Sequence, residues 1–135
     1  MRNNLLLAFC VIVIQFFVMS CSKSETIDDM PWRSAQVGGA KVQYKTIGDG
    51  KIAMVFVHGF GCDVSTWQKQ YEAFSDSSKV QLIFVDLPGY GSSDKPKVDY
   101  TLGYFAEALD AVLQQENVSR AIMVGHSLGT PICRE

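Results

Sequence analysis

The run Gly125-His126-Ser127-Leu128-Gly129 has residue types and a spacing that could do covalent chemistry. A serine between two glycines suits the tip of a tight strand-to-helix turn, where small neighbours let the backbone fold sharply and push the hydroxyl into a pocket. The chemistry would be nucleophilic attack on an acyl carbon, with acyl transfer to water through a serine ester. A glycine-rich turn with a solvated serine has the same bare pattern, so the flanks decide. Ala121 to Val124 is a short apolar run of the kind that makes a buried strand. Pro131 falls in the first turn of the helix expected to follow, where an N–H has no intrahelical partner to lose. A serine hydroxyl is a weak nucleophile unless a histidine takes its proton and a carboxylate orients that histidine. The two histidines of the chain, His58 and His126, both precede Ser127, and the only carboxylate side chain after it is Glu135.

The elements that must position this turn alternate along the chain. Gln36-Val37 and Lys41 to Ile47 flank Gly38-Gly39, a two-residue hairpin signal. Gly48-Asp49-Gly50 turns the chain into Ile52 to Val57, an uninterrupted apolar run typical of a strand buried on both faces. Ser65 to Gln68 reads as a capping box, followed by Trp67, Tyr71 and Phe74 on one helical face. Val80 to Val85 is the next buried strand. Thr101 can cap a helix whose apolar stripe is Leu102, Phe105, Ala106, Leu109, Val112 and Leu113, with Asn117 suited to its end. A hairpin followed by βαβαβ with continuous apolar strands predicts an α/β fold, a mostly parallel sheet with helices on both faces.

The first 20 residues read as a signal peptide instead of fold: Arg2 supplies a positive start, and Leu5 to Val18 is apolar except for Gln15. That run is short for a helix needing about 20 residues to cross a bilayer. Val18-Met19-Ser20-Cys21 resembles a bacterial lipobox, which implies cleavage before Cys21 and a lipid on its sulfur. Residues 21–33 are then expected as a tether and 34–135 as the folded domain, held at the membrane of a bacterial cell envelope. Plain secretion and an uncleaved anchor are the alternatives. A net charge of −2 gives no basic footprint for nucleic acid, and 47% hydrophobic with 19% charged residues is ordinary for a globular protein. Cys62 and Cys133 have no metal-ligand spacing, so neither a zinc site nor a disulfide framework is expected, and no motif calls for a cofactor.

Three motifs now stand in order: Val55-Phe56-Val57-His58-Gly59-Phe60-Gly61, Asp86-Leu87-Pro88-Gly89-Tyr90-Gly91-Ser92-Ser93, and Gly125 to Gly129. Together, over about residues 34 to 135, they resemble the N-terminal half of an α/β-hydrolase. The resemblance implies Ser127 as the nucleophile and the backbone N–H groups of Phe60 and Leu128 as the oxyanion hole. It implies His58 and Gly59 as braces of the oxyanion loop, Phe60 and Gly61 as pocket lining, and a small-molecule acyl substrate. His126 is expected to point away from the hydroxyl, and Asp86 to sit in a tight turn shaping the pocket wall. A serine at this position disfavours the family branches whose nucleophile is Asp, such as haloalkane dehalogenases and epoxide hydrolases.

In this family the order is Ser, then Asp or Glu, then His. The chain ends eight residues after Ser127, so it is expected to be an inactive N-terminal part, with the Ala121 to Val124 strand as an open edge. A non-catalytic ligand-binding protein of the same fold is the alternative. Asp86-Leu87-Pro88-Gly89 also occurs in GTPases, but Gly48-Asp49-Gly50-Lys51-Ile52 lacks the first glycine and the hydroxyl of a phosphate-cradling loop and precedes a strand. Oligomeric state is not legible.

Overall fold

The continuous apolar runs become the centre of the sheet. The computed structural model describes residues 26–135, so the expected signal peptide and Cys21 lie outside the described residues. The strands are β1 (Arg33–Val37), β2 (Ala40–Ile47), β3 (Ile52–Val57), β4 (Val80–Val85) and β5 (Ala121–Gly125). The helices are α1 (Gln68–Phe74), α2 (Leu102–Gln115) and α3 (Gly129–Ile132), with 3-10 turns at Ile27–Asp29 and Val64–Trp67. The sheet order is β1-β2-β4-β3-β5. Strand β2 runs antiparallel to both β1 and β4, whereas β3 is parallel to β4 and β5. Four strands therefore point the same way and only β2 opposes them. The β3–β5 register pairs Phe56 with Val124 and Val57 with Gly125.

The period of two along β3 and β4 divides the core between two faces. Val55, Val57, Ile83 and Val85 pack with Phe105, Ala108, Leu109 and Val112 of α2 and with Ile132 of α3. Phe56, Leu82 and Phe84 face the other way, against Trp67, Tyr71, Ile27 and Met30. Phe56 stacks on Phe84 with ring centroids 4.8 Å apart. Each such fully buried side chain contributes about 1.5–3 kcal/mol.

Thr101 caps α2 as expected, its hydroxyl accepting from the Tyr104 N–H at 3.1 Å, and Asn117 ends it with φ +56°. Three expectations need correction. The stripe of α2 uses Ala108 in place of Ala106, because the spacing 105, 108, 109, 112 keeps to a single face, and Leu102, the first residue of the helix, is exposed. The second cap is Asp63, whose carboxylate accepts from the Ser65 N–H at 2.9 Å; it opens a 3-10 turn, and the α-helix starts only at Gln68. Phe74, the last residue of that short helix, is exposed.

The third correction concerns residues 26–33, expected within the tether. Ile27 is 1% exposed and Met30 lies beside it in the core, while Arg33 opens β1. The buried Lys45 ammonium donates to the carbonyls of Ile27 (2.9 Å) and Asp28 (3.0 Å), and Gln68 Oε1 accepts from the Ile27 N–H at 2.8 Å. Lys45 Nζ also sits 4.3 Å from the centroid of the Trp32 ring. Two apolar anchors and a buried cation thus dock a segment that its polar composition marks as solvated.

Candidate active site

Strand β5 ends at Gly125 and α3 begins at Gly129, leaving three residues to reverse direction. Ser127 takes the strain, with φ +52° in the left-handed region that costs a non-glycine residue about 1–2 kcal/mol. Hydrogen bonds hold it there: His126 N–H to Val57 O at 3.0 Å, Gly129 N–H to His126 O at 2.9 Å, and Thr130 N–H to Ser127 O at 3.0 Å. The two glycines are required by space. A Cβ on Gly125 would lie 2.6 Å from the Gly129 carbonyl carbon, and one on Gly129 would overlap the Val57 carbonyl oxygen. Ser127 is exposed, and its hydroxyl makes no hydrogen bond among the described residues.

The loop after β3 abuts this turn. A Cβ on Gly59 would sit 3.0 Å from His126 Nδ1 and 3.1 Å from Ser127 Cβ. His58 is fully buried. Its Nε2 accepts from the Leu87 N–H at 3.1 Å, which leaves the ring proton on Nδ1, 2.8 Å from Gly59 O. Both ring nitrogens are therefore committed, and His58 does not meet Ser127. His126 is exposed and its ring makes no hydrogen bond among the described residues. The backbone N–H groups of Phe60 and Leu128 donate to no acceptor among the described residues. Gly61 turns the loop with φ +72° and does not line the cavity described below, although it was expected beside Phe60.

Asp86 ties a third loop, the one after β4, to the loop after β3. Its carboxylate accepts from the Val64 N–H (2.8 Å) and the Ser92 N–H (2.7 Å), and its carbonyl accepts from Ser93 Oγ at 2.6 Å. Burial pushes its carboxyl above the usual range, while those two N–H groups pull the other way. Gly91, φ +46°, is obligatory because a Cβ there would fall on the Asp86 carboxylate.

Beside the turn lies a cavity of about 460 Å³ walled by Phe60, Tyr90, Tyr100, Phe105 and Leu128, with Lys95 at its edge. Of these the sequence marks Phe60 as pocket lining and the tight turn after Asp86, which carries Tyr90, as pocket wall, and reads Phe105 as helix stripe. The clustering of Tyr90, Tyr100, Tyr104 and Phe105 was the available signal. A larger hollow, about 610 Å³, lies at the opposite end of the sheet around Lys51, Ala53 and Ala121, away from the serine. Among the described residues no three His, Cys, Asp or Glu side chains are grouped to hold a metal ion.

Comparison with known proteins accords with this geometry. Residues 52–135 match a family model described as alpha/beta hydrolase fold. The dihydrolipoyllysine-residue acetyltransferase component of the acetoin cleaving system of Cupriavidus necator is 32% identical over 98 residues, covering 73% of this chain and 26% of that protein. The pimeloyl-[acyl-carrier protein] methyl ester esterase of Proteus mirabilis is 36% identical over 89 residues, covering 66% of this chain and 32% of its own length. Among solved structures, an N-acyl homoserine lactone degrading enzyme superposes with a TM-score of 0.68 at 33% identity, over 75% of this chain and 38% of that one. An epoxide hydrolase of Vigna radiata does so with a TM-score of 0.72 at 27% identity, over 80% and 34%. The chain thus spans about a quarter to two fifths of the relatives it matches, and with the strand order, the turn at Ser127 and the matched residues together, it belongs to the alpha/beta hydrolase fold family.

Proposed function

We propose that this chain carries the nucleophile and oxyanion half of a serine hydrolase acting on an ester or related acyl bond. Ser127 attacks the acyl carbon, and the amides of Phe60 and Leu128 receive the oxyanion that develops. The observation that carries this reading is the strained Ser127 at φ +52°, its hydroxyl exposed and its Cβ against the Gly59 loop, beside two backbone amides with no acceptor of their own. Preorganised donors of this kind are worth about 10²–10³ in rate each. His58 and Gly59 act as braces, since both nitrogens of His58 are occupied. A serine nucleophile favours acyl chemistry over the epoxide opening named for one structural neighbour.

No imidazole lies against the Ser127 hydroxyl among the described residues, so the 135-residue chain is expected to hydrolyse p-nitrophenyl acetate no faster than buffer. The proton-handling histidine and its carboxylate are supplied, in this reading, by a longer polypeptide carrying this chain. Treating that polypeptide with a fluorophosphonate probe tests the assignment: the adduct is expected on Ser127 and absent from Ser127→Ala. A polypeptide that stays unlabelled overturns the assignment and favours a ligand-binding member of the fold. We further propose that Cys21 carries a lipid that anchors the protein to the bacterial envelope. Incorporation of labelled palmitate, lost in Cys21→Ser, is the expected result; labelling that persists in the variant refutes it.

A further inference from the structure

The cavity beside Ser127 has one charged residue, Lys95, in a lining otherwise mostly aromatic. Phe60 meets Tyr90 edge-on with centroids 5.9 Å apart, and Tyr100 stacks on Phe105 at 5.8 Å, so the walls brace one another. Such walls suit the flat or aliphatic limb of a ligand. Lys95 is the only charged residue in the lining. Its ammonium is fixed by two bonds, donating to the carbonyls of Gly91 (3.0 Å) and Ser93 (3.2 Å). An ammonium has three donors, so one N–H remains for a ligand. Among the described residues the ion pair formed is Arg33 with Glu116, and no carboxylate neutralises Lys95. Lys95 is exposed, so its ammonium can reach a ligand at the mouth of the cavity while staying hydrated, and its pull on an anion is that of a surface charge.

We propose that this cavity selects ligands whose apolar limb ends in a carboxylate or similar anion, with Lys95 as the specificity-determining residue. The inference deepens the reading of Ser127 above and rests on it only for where the reacting bond lies. Binding of 4-phenylbutyrate and of 4-phenylbutan-1-ol to the full chain, followed by titration calorimetry, is the test. Neither compound has a scissile bond, so the outcome is independent of whether Ser127 takes a fluorophosphonate. The carboxylate is expected to bind about threefold to fivefold tighter than the alcohol, as a solvent-exposed ion pair allows, and salt should erode the difference. Lys95→Met should abolish the preference and Lys95→Arg retain it. Equal affinities in the unaltered chain, or no binding of either compound, overturn the proposal whatever the variants do. A preference that survives Lys95→Met removes Lys95 from it.

Discussion

At the scale of single residues, the turn at Ser127 shows how a backbone conformation can be read before a side chain. The glycines at 125 and 129 are fixed by close approach to each other and to Val57, and that requirement was visible in their spacing. The strain at Ser127 makes a prediction: Ser127→Gly should raise unfolding free energy by about 1 kcal/mol, since glycine adopts φ +52° freely and loses part of that gain to its looser unfolded chain. A urea midpoint that stays put or falls would mean the turn is relaxed. The aromatic cavity was less legible. Phe105 satisfies a helical stripe equally well as core or as wall, and periodicity cannot say that its ring also meets Tyr100.

At the scale of elements, the buried strands were the easiest to read. Ile52–Val57 and Val80–Val85 have the bounds their apolar runs indicated: nothing polar interrupts the first, only Gln81 the second, and turn residues precede Ile52. The misread cap has a simple cause: Asp63 and Ser65 can both cap, and the carboxylate two residues upstream reaches the Ser65 amide. Residues 26–30 were hidden by composition. Acidic and polar neighbours mask Ile27 and Met30, and a lysine in a strand reads as a solvated charge until Lys45 proves to be buried. Lys45→Met keeps the apolar stem but strips the donor from two carbonyls, so it should cost about 2 kcal/mol. Hydrogen exchange at the Asp29 and Met30 amides is expected to accelerate more than at β3; uniform acceleration would show that the clasp is not local.

At the scale of the whole molecule, the order β1-β2-β4-β3-β5 makes β1 and β5 the edge strands among the described residues, and β5 is the edge beside the nucleophile turn. Its Ile122 is half exposed, and an apolar edge invites pairing with another chain. Ile122→Lys should therefore reduce the light scattering of concentrated protein; scattering that does not change would point to association through another surface. The alternation of strands and helices made the fold class legible, and the three motifs made the family resemblance legible. Neither indicated that one buried carboxylate, Asp86, would link the loops after β3 and β4.

The pairing of Val57 with Gly125 has a consequence for that site that concerns counting and not chemistry. Three steps beyond Val57 stands Phe60, and three steps beyond Gly125 stands Leu128. The two amides proposed to face the oxyanion thus stand equally many residues past the last paired rung. A residue inserted in one loop alone would leave every functional group in the protein and still put the pair out of phase. The spacing from strand end to amide is therefore itself part of the proposed site.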